Sequence, residues 1–378
     1  MKKILALILA LCMIFALAAC GGTSESGGKS KVKLWATGSQ NVQDIFEALT
    51  ADFNAKNDKY EVELNFLLSG TGAASLTDSL DAAVKAGQKN TDFDIVDFSG
   101  DDWSNIISRV GAEQFLKLDS SKLPNAASVA AKSSVEPEYC QPYRGTTVIL
   151  AYDSVAVPTP PATFDELYQW IKDHPGRFDY NSVGSGGAGN NFAYSVVYNF
   201  LPEEAFTSDD AAWKEQWDQG FELLKELHPY MFESGGSHVY LNKNQGTLDA
   251  LNNGEIDMCP NWADMVLSQR AKGEIKDTIK ITQLEVGLPG SLQSLAIPTI
   301  GSNPEGAYAF INYMLSPEAQ ELMVRQMAAI PLIDASTMDM TGYEDLNDLD
   351  VSSFRICSIG DLTTDFKARW DAEIASLG

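Results

Sequence analysis

The chain has 378 residues, and its 52 Asp and Glu residues outnumber 27 Lys and Arg residues, which gives a formal net charge of −25. A body this acidic repels phosphate backbones, which argues against nucleic acid as a partner and against docking on anionic lipid by surface charge. Most of the carboxylates are expected to serve solubility, and a minority to favour cationic ligands. Hydrophobic residues make up 44% of the chain, and the length favours two lobes.

The first twenty residues have the layout of an export signal. Lys2 and Lys3 precede an apolar run over 4–17, and small residues follow it up to Cys20. The run is shorter than the roughly 20 apolar residues of a membrane span. The Leu-Ala-Ala-Cys end resembles the bacterial lipobox, which implies a signal peptide over 1–19 and a lipid (palmitate) on Cys20. An ordinary cleaved signal with an incidental cysteine and an uncleaved anchor helix are the alternatives.

The segment after the signal is rich in glycine and serine. Residues 20–30 carry no apolar side chain worth burying, and such segments behave as flexible coil. The sequence therefore predicts a lipid-anchored protein at the extracytoplasmic face of the cell membrane, with a flexible tether over 20–30 and a globular body from Lys31.

The remaining cysteines form no recognisable pattern. Cys140, Cys259 and Cys357 are widely spaced and odd in number, so neither a disulfide framework nor a zinc site can be inferred. One bridge among them and free buried thiols both stay open. No metal and no cofactor is predicted.

Alternating strands and helices open the globular body. Residues 31–35, 60–66 and 93–98 show strand patterns, and residues 41–57 and 77–87 show helical ones. This order predicts an α/β fold with a mostly parallel sheet and helices on its faces.

Small polar residues follow each of the three predicted strands. The candidates for ligand contact at these strand ends are Thr37, Gly38 and Ser39, then Ser69 and Gly70, then Gly100, Asp101, Asp102 and Trp103. Ligands in open α/β sheets bind beyond the carboxyl ends of strands, where backbone N–H groups and helix N-termini point. Three such loops in phase predict one edge of the sheet built for contact, although each loop alone would be read as a plain turn.

The later part of the chain continues the α/β pattern. Residues 146–152 are β-prone, and Thr163 with Glu166 forms a capping box that predicts a helix start. A turn and short strand are predicted at 254–258, and helices from about 304 and 317.

Motifs of enzymes are missing from the sequence. It contains no G-x-S-x-G elbow, no H-E-x-x-H and no Walker loop, and His174, His228 and His238 are scattered. Residues 184–189 match G-x-G-x-x-G, which is interpreted as a loop before a helix that begins near Asn190. That helix end, with Asn190 and Asn191, is a candidate site for a carboxylate or phosphate; a simple linker is the alternative.

Four later segments occur in the order of a known family: 142–154, 161–167, 252–258 and, most specifically, 302–320. They resemble the bacterial family-1 extracellular solute-binding proteins, which serve ABC importers. The segments 38–40, 100–103 and 174–180, with Trp35, resemble the YnjB-like branch, which is linked to thiamine transport. Trp35 is also similar to a tryptophan near the end of the first strand in polyamine binders.

The resemblance implies a type II periplasmic-binding-protein fold with two α/β lobes, a hinge and a ligand cleft. Lobe 1 would comprise 31–148 and 283–312, and lobe 2 would comprise 149–282 and 313–378, with crossings near 145–151 and 283–295. It implies a monomer that carries out no reaction and delivers a small solute to an ABC transporter permease. An exported hydrolase or sensor protein of similar fold is the alternative class.

Aromatic and acidic residues suggest a cationic solute, thiamine-like or polyamine-like. Trp262 with Asp264 pairs an indole face with a carboxylate, and such a face attracts an organic cation by roughly 0.5–2 kcal/mol. Trp35, Trp103 and Tyr143 would complete an aromatic box, unless they pack in the core. The ferric-ion branch has adjacent tyrosines where this chain has Asn261 and Trp262, so iron is not implied. A small anion or a sugar held by the Gly/Ser loops is the alternative solute.

Overall fold

The computed structural model describes residues 28–38, 40–68, 75–129, 131–133, 135–349 and 355–378, and for Asp101 it describes only the backbone. The predicted signal peptide and Cys20, together with Ser39, Ser69 and Gly70, lie outside the described residues. Within the described ranges, no helix has the length and apolar character to cross a membrane.

The first part of the chain folds as the sequence predicts. Its elements are β1 (Ser30–Gly38), α1 (Gln40–Lys56), β2 (Tyr60–Leu68), α2 (Leu76–Lys85), β3 (Ile95–Phe98) and α3 (Gly100–Val110). Strand β1 lies between β2 and β3 and is parallel to both. The carboxyl ends of these strands therefore share one edge of the sheet, as expected for an α/β fold.

The second part of the chain adds strands β4 (Cys140–Asp153), β5 (Glu233–Ser234), β6 (Ser237–His238), β7 (Met258–Trp262), β8 (Ile279–Thr282), β9 (Gly290–Ala296) and β10 (Ile330–Pro331). Its helices are α4 (Phe164–Asp173), α5 (Gly187–Tyr198), α6 (Asp218–Leu227), α7 (Lys243–Asn253), α8 (Ala263–Ala271), α9 (Pro304–Met314), α10 (Pro317–Met327) and α11 (Leu362–Glu373). The short pair β5–β6 forms a separate hairpin.

Strand β4 changes partners along its length. Its residues 140–147 pair with β9, which in turn pairs with β3 of the first sheet. Its residues 148–153 pair with β7 and β8 instead, and β10 joins at Arg144 and Gly145. One strand therefore hydrogen-bonds to two sets of strands, with the change at residues 147 and 148.

The buried apolar side chains form two groups of clusters. We call the first half the group built from β1, α1, β2, α2, β3, α3, β9 and α9. We call the second half the group built from α4 to α8, β7, β8 and α11. Helix α10 contributes to both, since Met323 packs in the first half and Val324 in the second. The predicted lobe boundaries stay a prediction.

Two predicted helix starts can be compared with the structure. The capping box is confirmed, because Thr163 Oγ1 accepts from Glu166 N–H at 3.2 Å and the Glu166 carboxylate accepts from Thr163 N–H at 3.4 Å. Helix α5, by contrast, begins at Gly187 rather than near Asn190. The earlier start follows from Gly189, whose N–H donates to Asn181 Oδ1 at 2.9 Å and whose position leaves no room for a Cβ beside the Asn181 carbonyl.

The three described cysteines are free thiols. Burial raises the pKa of Cys140 to about 11 and that of Cys259 to about 12, so both stay protonated at neutral pH. Cys357 is only partly buried.

Gln320 joins three backbone groups beside the change of partners in β4. Its Nε2 donates to the Tyr143 carbonyl at 2.7 Å and to the Met314 carbonyl at 2.8 Å, and its Oε1 accepts from Leu332 N–H at 3.1 Å. The side chain is 1% exposed, so water cannot replace these bonds if the amide is lost.

We predict that Gln320→Leu lowers the free energy of unfolding by roughly 2–4 kcal/mol, because it leaves buried backbone groups unpaired. Urea denaturation measures the loss. Gln169→Leu is the control, since Gln169 is exposed and its side chain donates to Asp173 one turn away, and it should change stability by less than about 0.5 kcal/mol. Equal effects in the two variants would contradict this role of Gln320.

Candidate functional site

A groove of about 620 Å³ lies between the two halves. Helix α3 of the first half lines one wall, and the segment 357–361 with Thr207, Asp209 and Thr363 lines the other. The volume is within the range of about 300–1,000 Å³ that small-molecule sites occupy. The groove is therefore the candidate ligand site.

The groove is acidic and polar. Its described lining residues include the carboxylates of Asp102, Asp209 and Asp361 and no Lys, Arg or His. Hydroxyl and amide groups supply much of the remaining lining, from Ser104, Asn105, Ser108, Thr207, Ser358 and Thr363. A cleft lined by charges of one sign concentrates ions of the opposite sign.

Three helix N-termini meet near the change of partners in β4. At the start of α3, Gly100 N–H donates to Ser291 Oγ at 3.0 Å. Ser291 lies opposite Thr146 in the β4–β9 register, and Thr146 Oγ1 donates to Asp264 Oδ1 of α8 at 3.5 Å. From α5, Asn191 Nδ2 donates to the Pro289 carbonyl at 3.4 Å. Gly100, Asn191 and Asp264 are thus brought together, although their loops are far apart in sequence.

Trp262 lies at the N-terminus of α8 with its indole partly buried. Gly187, at the start of α5, faces the ring so closely that a Cβ there would approach Trp262 Cζ2 to 2.8 Å. Trp262 therefore packs against the second half with part of its surface and keeps part accessible.

Two carboxyl groups surround the buried cation Arg144, which is 5% exposed. Burial raises the pKa of Asp97 to about 7, against the opposing effects of Arg144 and of the Tyr143 hydroxyl, which donates to Asp97 Oδ1 at 2.8 Å. Burial also raises the pKa of Asp264, although Arg144 and the first N–H groups of α8 lower it. The positive charge of Arg144 attracts the ionised form of both acids and so lowers the pKa of each.

Two of the predicted aromatic contacts are core residues, which corrects their expected placement. Trp103 is 1% exposed, stacks on Phe98 at 4.4 Å, and donates its indole N–H to the Val135 carbonyl at 2.9 Å. Tyr143 is 1% exposed and packs beside Phe46. Their partners come from distant parts of the chain, so a local sequence pattern could not reveal the burial.

Two further candidates are engaged with the protein itself. Asn261 is fully buried, and its side chain donates to the Asn244 carbonyl at 2.9 Å and accepts from Trp262 N–H at 2.9 Å. The Trp35 indole N–H donates to the Asp92 carbonyl at 3.0 Å, and its ring stacks on Phe93 at 5.1 Å. Asp92 and Phe93 precede β3, so Trp35 points away from the carboxyl edge. Trp35 and Asn261 thus bond to the protein itself, and the expected aromatic box stays a prediction.

The remaining candidates lie at the end of β1 or in the first turns of helices. Thr37 Oγ1 donates to the Leu67 carbonyl at 3.1 Å, and Gly38 has a φ of +153° with Val42 close to the position of a Cβ. Asn190 Oδ1 accepts from Gly184 N–H at 2.7 Å and so closes the glycine-rich loop. Asp102 lines the groove directly and accepts from Ser99 Oγ at 2.8 Å.

Sequence reasoning missed the second wall of the groove. Thr207 ends a short 3-10 helix (Glu203–Thr207), Asp209 and most of 357–361 lie in irregular segments, and only the folded chain places them opposite α3. Within the described ranges, no group of three or more His, Cys, Asp or Glu side chains is placed to hold a metal ion.

Comparison with known proteins agrees with this architecture. A family model described as bacterial extracellular solute-binding protein matches residues 48–345, which is most of the chain. That family is one of solute-binding proteins rather than enzymes. No curated protein sequence matches the chain.

Solved structures of low sequence identity share the fold. An ABC transporter from Clostridium perfringens has 18% identity and a TM-score of 0.62, over 91% of this chain and 99% of that one. A Bordetella parapertussis protein described as an extracellular solute-binding protein has 14% identity and a TM-score of 0.67, over 91% and 99%. A Listeria monocytogenes protein described as a spermidine/putrescine ABC transporter has 16% identity and a TM-score of 0.53, over 92% and 99%. The predicted periplasmic-binding-protein-like α/β fold is therefore confirmed.

We predict that Asp97→Asn flattens the pH dependence of stability. The unfolded chain releases the Asp97 proton near pH 4, whereas the folded protein holds it to about pH 7. The stabilisation is therefore complete below about pH 4 and is lost as the pH rises to about 7. Urea denaturation between these pH values should show a smaller fall in unfolding free energy for Asp97→Asn than for the wild type. An unchanged slope would contradict the raised pKa, and Asp249→Asn, an exposed acid, is the control.

Proposed function

The chain belongs to the bacterial extracellular solute-binding proteins, and on that premise we propose that it captures a small organic cation and delivers it to an ABC transporter permease. The observation that carries this proposal is the groove between α3 and the segment 357–361. Three aspartates line it without a described basic side chain. Such a lining stabilises an ammonium or similar cation and disfavours a phosphate or carboxylate.

Binding without reaction suits the arrangement of the two halves. The halves are joined through β4 and through the return of the chain from β8 to β9. A solute that contacts both walls of the groove binds a closed form more tightly than an open one, and so shifts the equilibrium toward closure. In this proposal the permease recognises the closed form, and the lobes correspond to 31–148 with 283–312 and to 149–282 with 313–378.

The location of the protein is part of the proposal. The lipobox-like sequence supports cleavage after residue 19, a lipid on Cys20 and a flexible tether over 20–30. A monomer held at the extracytoplasmic face of the membrane would bind solute within reach of its permease. Labelling with radioactive palmitate tests the anchor, and Cys20→Ser should abolish the label.

A thiamine-like or polyamine-like solute fits the acidic groove best. Trp262 offers a partly accessible indole face, and Asp264 lies two residues away at the start of α8. The Listeria protein described as a spermidine/putrescine transporter shares the fold. The second candidate is a small anion, which the buried Arg144 and the helix N-termini favour.

A thermal-shift panel with thiamine, spermidine, citrate and inorganic phosphate separates these candidates. A ligand present at about 100 times its dissociation constant adds roughly 2.7 kcal/mol of stability. The proposal expects spermidine or thiamine to raise the melting temperature. A rise with citrate or phosphate alone would overturn the choice of a cation.

We predict that Asp209→Asn and Asp361→Asn each weaken binding of the stabilising cation by about two- to fivefold, because each removes one partly exposed charge interaction of up to about 1 kcal/mol. Isothermal titration calorimetry measures the effect, and the double variant should bind more weakly than either single variant. Asp249→Asn, an exposed aspartate on α7, should bind as the wild type does. Wild-type affinity in the double variant would remove this wall from the site.

We also predict that Trp262→Ala weakens binding of the same cation by roughly 0.5–2 kcal/mol, the value of a cation over an indole face. Trp213→Ala is the matched control, since Trp213 is likewise a partly buried tryptophan packed against the second half. Calorimetry and thermal unfolding together separate affinity from stability. Equal affinities in the two variants would place Trp262 outside the site.

A further inference from the structure

We propose that Arg355 is a positioning residue that couples the wall of the groove to the return of the chain into the first half. The inference rests on the proposed function for its effect on solute binding, but its structural part can be tested without a solute. It starts from a side chain that sequence reasoning did not single out.

The Arg355 side chain is held firmly in the second half. Its guanidinium donates to Asn199 Oδ1 at 2.7 Å and to the Glu203 carboxylate at 3.2 and 3.4 Å. It also lies over the Phe206 ring, with 3.7 Å between Cζ and the ring centroid. Although Glu203 is exposed, the Arg355 side chain is only 9% exposed. The guanidinium is planar, so stacking on an aromatic ring together with hydrogen bonds from several of its N–H groups leaves the side chain one orientation. We infer that the Arg355 backbone is held in place with it.

The Arg355 backbone contacts the point where the chain returns to the first half. Its carbonyl accepts from Gly290 N–H at 2.8 Å, and Arg355 forms a parallel bridge with Pro289. Gly290 is the first residue of β9 and pairs with Thr147 of β4. A Cβ on Gly290 would lie 2.7 Å from the Thr146 carbonyl, so this crossing is closely packed against β4.

The residues that follow Arg355 form the groove wall. Ser358 N–H donates to the Phe206 carbonyl at 2.7 Å, and Ser358 lines the groove together with Cys357 and Ile359. Phe206 thus packs its ring against the Arg355 guanidinium and anchors the wall with its backbone carbonyl. If the halves move about the crossing at Pro289 and Gly290, one of two things must follow. Either the hydrogen bond from Gly290 N–H to the Arg355 carbonyl breaks, or the groove wall at 357–359 moves with the crossing.

Hydrogen–deuterium exchange measured by mass spectrometry tests the coupling. The Arg355→Ala variant keeps the carbonyl that accepts from Gly290 and loses only the side chain that fixes it. We expect residues 287–292 to exchange about tenfold faster in this variant, which corresponds to an opening free energy lower by about 1.4 kcal/mol. Glu203→Gln, which removes one ion-pair partner and keeps the packing, should give a smaller change in the same segment.

Arg369→Ala is the matched control. Arg369 also lies over a phenylalanine, with 4.3 Å between Cζ and the Phe221 centroid, and it pairs with Asp218 and Glu373. All of these partners lie in α6 and α11 of the second half. The control should lose a similar amount of global stability and leave the exchange of 287–292 unchanged.

Two outcomes of the exchange experiment would overturn the proposal. Wild-type exchange of 287–292 in folded Arg355→Ala would show that the side chain does not hold the crossing. Equal acceleration in Arg369→Ala would show general destabilisation instead of coupling.

Calorimetry with spermidine tests the effect on binding. Arg355→Ala should change the affinity at least about threefold, while Arg369→Ala leaves it unchanged. Spermidine affinity equal to wild type in Arg355→Ala would overturn the coupling to binding, whereas failure of the wild type to bind spermidine counts only against the proposed cation.

Discussion

The hydrogen bonds of β4 are the constraint on which the rest of the structure depends. The strand bonds to β9 over residues 140–147 and to β7 and β8 over residues 148–153. Because one strand serves both sets, the halves share a rigid ladder near residues 147 and 148 instead of a loose linker. The buried amide of Gln320 supports this ladder from α10 by accepting from Leu332 and donating to Tyr143. In the proposed function, the groove between the halves would close about this ladder.

Charge is distributed unevenly around this ladder. Arg144 is buried beside Asp97 and Asp264, whereas Asp102, Asp209 and Asp361 line the groove. Burial raises the pKa of both acids, that of Asp97 to about 7, so Asp97 carries only part of its negative charge at neutral pH. The groove acids are the ones left to attract a ligand from solution. This separation between structural and accessible carboxylates is the physical basis for choosing a cation.

The sequence predicted those features that depend on local patterns. Alternating strands, the parallel direction of the first sheet and the capping box at Thr163 depend on period, strand direction and cap chemistry, and the structure confirms them. Burial of Trp103 and Asn261 could not be predicted, because their partners come from distant parts of the chain. The second wall of the groove was also not predicted, because 357–361 has no periodic pattern. An aromatic or amide side chain after a strand can therefore be assigned to the core or to the ligand site only once its tertiary contacts are known.

Small-angle X-ray scattering during titration with the most stabilising cation tests the central claim most directly. The claim is that a cationic solute lies between the halves and favours a closed form. The account predicts that the radius of gyration falls and reaches its limit when the site is saturated, as judged by calorimetry on the same sample. An unchanged radius at full occupancy, or saturable binding of anions alone, would contradict it.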